Sequence, residues 1–348
     1  MKLDFINSDA NTEIDITLTV RGLFNASTFP NVGQLIYHDG TCDCLVLDSF
    51  ASVTNMLEGT IQLPGTQQPI FDGLPHIKMV DSSDRYLSTS IILPHRLASG
   101  YLLKNKTAML HNARFSETIQ QEIITSGLHI TVLKYCPMSL LHGVWFSQIE
   151  GHYKIAKSIG GSLIAIDVRE ALVGGLLRDR VWSNAATLNL NNFDSEAGKA
   201  SELGIGMIPH NTKRFSCDRV EGYFQISNLQ IDAYPIPDLG KRLITALATY
   251  EILKFIETVP IHRVDCSLKV IDVQLNQPLK VGEIELNRSA DAKKIVEDLL
   301  LECRKDGIIG DVETVKITLD RKPPKAKDKP TTPTRKSPHN ADDSDRSQ

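Results

Sequence analysis

Two strand–helix–strand passages, set far apart in the chain, restrict this sequence to few architectures. The first opens on "EIDITLTVRGLF", where Ile14, Ile16, Leu18 and Val20 alternate with Asp15, Thr17, Thr19 and Arg21. A side-chain period of two marks a strand with one buried face. After the turn-rich "NASTFPNVGQ" comes "CLVLDSFASVTNMLEG", which reads as a strand ending near Leu47 and a helix beginning near Ser49. Ser49 or Ser52 caps that helix and Gly59 stops it. "SETIQQEIITSG" predicts a helix capped by Ser116, and "HITVLKY" a strand. In the second passage "RVEGYFQISNLQI" is rich in strand formers, and Pro235, Pro237 and Asp238 open a helix through "LGKRLITALATYEILKFIE". Leu243, Leu247, Tyr250 and Leu253 share one face of it, with Ile244, Ala248 and Phe255 beside them, so the helix is buried on more than one side. "HRVDCSLKVIDV" closes the unit as a strand, with Val264, Cys266, Leu268 and Val270 alternating.

This order predicts an α+β fold, a ferredoxin-like (RRM-like) βαββαβ palm interrupted by inserted segments. Residues 59 to about 115, rich in Pro, Gly, Ser and Thr, form one such insertion. "DAKKIVEDLLLECRKDG" adds a late helix and "VETVKITL" a late strand. From Arg321 the chain has almost no apolar residues and five prolines, and is expected to be disordered because nothing there repays the entropy of ordering.

Several function classes are excluded early. No apolar run approaches the roughly 20 residues that span a bilayer, and the acidic start "MKLDFINSDANTEID" lacks the apolar core of a signal peptide, so a cytoplasmic protein without membrane contact is expected. Of six cysteines only Cys42 and Cys44 are close in sequence, and no Cys/His group has zinc spacing; reduced thiols, no metal and no cofactor are expected. The sequence has no G-x-S-x-G elbow, P-loop, H-E-x-x-H or G-x-G-x-x-G. Residues 321–348 hold 8 basic and 4 acidic residues, leaving 30 basic against 38 acidic in residues 1–320, a body charge of −8. That balance argues against indiscriminate nucleic-acid binding and leaves room for one basic groove. From Arg85 to Phe115 there are five basic residues and no acid, either a solvated face or part of such a groove.

The candidate contacts follow from residue type. Ser49, Ser52 and Asn55 recur at three-residue steps around a helix start, where free N–H groups and hydroxyls suit a phosphate or serve ordinary capping. "IPHNTKRFSCDR" gathers His210, Lys213, Arg214 and Arg219 around Phe215, either a phosphate-gripping, base-stacking cluster or a polar loop before a strand. "LRDRVWSNAATLNLNN" carries Arg178, Arg180, Trp182 and Asn184 and reads as a protruding hairpin, with Trp182 contacting a partner or anchoring it. His142 has no acid within seven positions, and its alternatives are a core residue, a ligand contact or a catalytic base.

Taken in order, these passages resemble the Csb-type backbone subunit of the type I-U (I-G) CRISPR surveillance complex, of the RAMP superfamily, over nearly all of residues 12–273. The resemblance is carried by "TFPNVG" at 28–33, "LVLDSFASVTNMLEG", "LSTSIILPHRLASGYLL" at 87–103, "YCPMSLLHGVWFS" and "IPHNTKRFSCDRVEGYF". Departures are Met56 where relatives often have Arg, Ala51 where many have Gln, and "HYKIAKSIGGSLIAIDV" in place of an arginine-rich run, with Lys154 and Lys157 as substitutes.

The resemblance implies a non-catalytic protein that binds CRISPR guide RNA, stacks head-to-tail with copies of itself, joins other Cascade subunits and meets target DNA through the guide. It implies one elaborated RAMP domain over 1–320, with palm elements at about 12–58, 128–175 and 219–275, insertions at about 59–127 and 176–218, a late helix–strand unit at 290–320 and a basic tail. The RNA-binding set is Arg21, Ser49, Ser52, Asn55, His95, Arg96, His142, Lys154, Lys157, His210, Lys213 and Arg214. The finger and thumb segments are the insertions, with Arg178, Arg180, Trp182 and Asn184 on a thumb near 176–192. Gly143 would let the backbone approach RNA closely. The alternative is a RAMP-type endoribonuclease acting on CRISPR RNA or target RNA, with Asp48 and His142 as its candidate residues; a scaffold without RNA contact is the third reading.

Overall fold

The computed structural model describes residues 11–29, 33–64, 66, 68–103, 113–147, 153–177, 208–258 and 265–317. The first part of the chain contains β1 (Thr12–Val20), β2 (Ile36–His38), β3 (Asp43–Asp48), α1 (Phe50–Thr60), β4 (Ile77–Val80) and β5 (Tyr86–Thr89). Then follow α2 (Ala113–Ser126), α3 (Leu128–Tyr135), α4 (Met138–Leu141), β6 (Val144–Phe146), β7 (Tyr153–Ile155), β8 (Ile159–Ile166), β9 (Arg169–Leu177) and β10 (Ile208–Ser216). The last part contains β11 (Arg219–Ile226), α5 (Asn228–Asp232), α6 (Asp238–Thr258), β12 (Leu268–Leu275), β13 (Lys280–Val281), β14 (Ile284–Glu285), α7 (Ser289–Lys305) and β15 (Glu313–Lys316).

A six-stranded antiparallel sheet, ordered β12-β1-β11-β8-β3-β2, organises the core. The alternation of β1 is realised: Ile14, Ile16 and Leu18 are buried while Asp15 and Thr19 face water. Glycines let the central strands approach their neighbours. A Cβ on Gly222 would come within 2.6 Å of Ile16, and one on Gly161 within 2.6 Å of the Phe224 ring. The "IGG" of β8 thus serves close packing.

Helix α6 is buried on several sides, against α1, α4, α7 and β11. Its Tyr250 ring meets Phe71 edge-on at 4.9 Å, which ties it to the segment read as an insertion. That segment also has strand order of its own: β15 pairs in parallel with β4, and β4 antiparallel with β5. The late strand therefore closes onto residues more than 200 positions upstream.

Three local readings are corrected. "HITVLKY" is the helix α3, not a strand. Its β-branched residues suggested extended chain, but burial of Thr131, Val132, Leu133 and Tyr135 decides for helix. Leu133 packs so closely on α6 that a Cβ at Gly240 would lie 2.7 Å from it. Helix α2 starts at Ala113, so Ser116 lies inside it and is not its cap. "IPHNTKRFS" is strand β10 itself, paired with β9 in a two-stranded ribbon. Among the described residues no helix is long and apolar enough to cross a membrane.

Candidate nucleic-acid interface

Five of the sequence candidates meet in one place. A pocket of ≈ 370 Å³ is lined by Pro94, His95, Arg96, His142, Gly143, Val144, Trp145 and residues 154–157. Its walls come from a sharp chain reversal after α4. His142 ends that helix, and Gly143 takes φ +79°, a conformation that favours glycine. A Cβ there would stand 3.0 Å from the Ile155 carbonyl and 3.1 Å from the Lys157 nitrogen. The close approach that Gly143 permits is thus to the protein's own backbone. The reversal starts hairpin β6–β7, in which Trp145 sits directly across from Lys154. Trp145 is 57% exposed while its neighbours Val144 and Phe146 are buried, so the indole is the one side chain of β6 left to solvent.

Arg96 holds the opposite wall. Its Nε donates to Glu58 Oε1 of α1 at 3.0 Å, its Nη2 donates to the same oxygen, and its Nη1 donates to the Gly143 carbonyl at 2.9 Å. Arg96 itself takes φ +47°, a strained backbone held in place by these bonds. Its charge is neutralised by Glu58, so it acts as a strut. The cations left at the rim are Lys154 and Lys157, with His95 exposed beside them; among the described residues neither lysine has an ion-pair partner. Partial burial, and then the nearby Arg96 charge, lower the Lys157 pKa.

His142 is the floor of this pocket. Its Nε2 lies 3.0 Å from Glu251 Oε1 of α6, and both side chains are fully buried. Burial pushes the imidazole pKa down to about 3 and holds the Glu251 carboxyl well above its usual range. Burial thus favours the uncharged form of each partner, a neutral imidazole facing the Glu251 carboxyl across this hydrogen bond. Among the described residues neither His142 Nδ1 nor Glu251 Oε2 has a hydrogen-bond partner. The acid that sequence distance concealed is therefore 109 positions away.

The remaining candidates lie elsewhere. Ser49 caps α1 by accepting from the Ser52 N–H at 3.3 Å. The Ser52 hydroxyl donates to Asp48 Oδ1 at 2.6 Å, and Ser27 donates to the same oxygen at 3.1 Å. Asp48 is thereby buried and bonded, and Asn55 is exposed one turn on. Arg21, exposed at the end of β1, lies near the base of the ribbon, where Arg214 pairs with Asp265 at 2.9 Å and Lys213 with Glu170 at 3.0 Å. This end of β8 is separated from the pocket by most of the strand, roughly 23 Å at 3.3 Å per residue. Phe215, a base-stacking candidate by sequence, is instead buried against Phe24. His210 lies on β10, opposite Gly175. Arg178, Arg180, Trp182 and Asn184 lie outside the described residues, as does the tail.

Trp145 was missed as a site residue, although its signal was in the sequence: an aromatic between two apolar residues of a short strand has to face away from the core. Phe50 was missed too. It is 54% exposed and packs edge-on to Tyr223 at 6.5 Å, a second aromatic surface near the start of α1.

Residues 21–170, somewhat less than half of the chain, match the family model described as CRISPR-associated protein GSU0053. The match bears out the CRISPR-associated family that the motifs resemble, and four of the five resembling passages fall inside it. The fifth, at 208–224, falls outside. No curated protein matches the chain. Among solved structures, a chain of a "CRISPR RNA-guided surveillance complex, pre-nicking" aligns at 10% identity over 85% of this chain and 89% of that one, with a TM-score of 0.37. Csc2 of Thermofilum pendens aligns at 8% identity over 85% of this chain and 77% of its own, with a TM-score of 0.28. Similarity at that level does not define a shared fold.

Proposed function

We propose that this protein is a non-catalytic, cytoplasmic subunit that binds CRISPR RNA in a type I-U (I-G) Cascade surveillance complex, stacking along the guide as its backbone. The observation that carries the reading is the exposed Trp145 indole facing Lys154 in a pocket rimmed by His95 and Lys157. An aromatic face stacks any base, and ammonium groups beside it neutralise phosphate without reading sequence, which is what a backbone subunit needs. The matched family supports the CRISPR setting.

In this reading the strand order β12-β1-β11-β8, with α1 between β1 and β8 and α6 between β11 and β12, is the ferredoxin-like palm of a single elaborated domain. The β9–β10 ribbon is then the base of the thumb, near 176–192, that reaches a neighbouring copy. Target DNA is met through the guide. The endoribonuclease reading has less support, because Asp48 is buried under two hydroxyls and His142 is a neutral imidazole held by Glu251.

The test is co-purification with a CRISPR array and the neighbouring subunits, followed by sequencing of protected RNA. Guide-length RNA with several copies of this chain is expected, and Lys154→Glu with Lys157→Glu should remove it. A bare monomer without RNA would sink the proposal, and turnover of labelled RNA that stops in Asp48→Asn would replace it with the nuclease.

A further inference from the structure

The turn between β2 and β3, "HDGTCDC", carries a cluster for which RNA binding has no use. On paired strands side chains alternate between faces. His38 and Asp43 point one way and pair with each other at 3.1 Å. Tyr37 and Cys44, the next pair of the ladder, share the other face with Asp39 and Cys42. Asp39 is fixed by the turn itself: its Oδ1 accepts the Thr41 N–H at 2.7 Å and the Cys42 N–H at 2.9 Å. Its Oδ2 is thereby aimed at both sulfurs, 3.6 Å from Cys44 Sγ and 4.0 Å from Cys42 Sγ. One donor atom from each of the three residues fits within a 4.8 Å group.

We propose that Asp39, Cys42 and Cys44 bind a thiophilic divalent cation, zinc by its ligand chemistry, with water in the fourth position. Tetrahedral zinc with bonds of about 2.3 Å to sulfur and about 2.0 Å to oxygen places sulfur and oxygen about 3.5 Å apart. The two sulfur–oxygen distances here need to shrink by only a few tenths of an ångström. Both thiols give their protons to solvent as the two metal–sulfur bonds form, so binding strengthens as pH rises.

Tyr37, directly across the ladder from Cys44, supplies an outer neighbour of the kind that orients metal ligands. The bound ion clips the turn that joins β2, a three-residue edge strand, to the sheet. The C-x-C spacing conceals this site from a search for C-x-x-C pairs; the third donor comes from the turn.

The test is cobalt titration of the reduced, tag-free full chain, with metal content measured by mass spectrometry. One metal per chain and a thiolate-to-cobalt charge-transfer band are expected. Cys42→Ser should abolish the band. Asp39→Asn, at an exposed position that leaves the core untouched, should weaken binding at least tenfold, roughly the loss on removing a metal-site partner. Cys217→Ser should change nothing. No band in the folded wild-type chain, a band that survives Cys42→Ser, or one that depends on Cys217 would each overturn the proposal. None of these results depends on RNA binding.

Discussion

The pocket around Trp145 and the base of the β9–β10 ribbon are both rich in basic residues, yet they differ in what they offer a ligand. At the ribbon, Lys213 and Arg214 each face an acid, Glu170 and Asp265. At the pocket, Glu58 pairs with Arg96, and among the described residues no acid pairs with Lys154 or Lys157. A cation in the sequence is therefore not a cation available for binding. The acids that decide the difference lie 43 and 51 positions away at the ribbon and 38 at the pocket.

The largest effect expected is on the pocket's floor. Glu251→Ala leaves His142 buried without a partner and opens a cavity, at a cost of about 3 kcal/mol. Urea unfolding measures it, and a loss under about 1 kcal/mol would mean that the pair is not structural. Next, Lys154→Glu with Lys157→Glu should weaken guide-RNA binding about 100-fold and make its dependence on salt shallower. Fluorescence anisotropy across salt concentrations reads both effects, and an unchanged slope would break the contrast between the two regions. Trp145→Ala should cost RNA affinity about tenfold through lost stacking and leave stability unchanged. Lys213→Ala should be the smallest, within about 0.5 kcal/mol in stability and twofold in RNA affinity, as for an exposed ion pair. A large loss of affinity there would return the ribbon to the binding surface.

Acidity sharpens the same comparison, because only the pocket rests on buried titratable groups. Glu251 has a raised pKa, so its contribution is complete below its unfolded value of about 4.5 and is lost as pH rises. His142 has a lowered pKa, so its contribution is complete above 6.5 and is lost as pH falls toward about 3. Together they predict a broad stability maximum between those two unfolded values. Glu251→Gln should remove the loss on the alkaline side and keep the loss on the acid side. Unfolding midpoints followed across pH check this, and an unaltered alkaline limb would show that Glu251 does not cause it.

Much of the fold was legible from one-dimensional patterns. The alternation in β1, the Ser49 cap of α1 and the all-round apolar surface of α6 are local signals, and each appears where the residues predict it. The strand expected at "HITVLKY" failed because propensity is weak against burial. The site was half legible. His95, Arg96, His142, Lys154 and Lys157 were named from motifs, and they do converge. That His142 faces Glu251, that Arg96 is a strut and that Trp145 is the exposed aromatic came only with the structure.

The sequence by itself determined the alternating strands, the capped helices, the resemblance to a CRISPR-associated family and the residue types that can hold phosphate. Those properties depend on neighbours a few positions apart, or on motifs in a fixed order. Only the tertiary structure decided which charges cancel, which imidazole loses its proton, and which turn brings two thiols to a carboxylate. Coulomb energies and desolvation depend on distance and burial, and both are set by contacts between residues that the chain holds far apart.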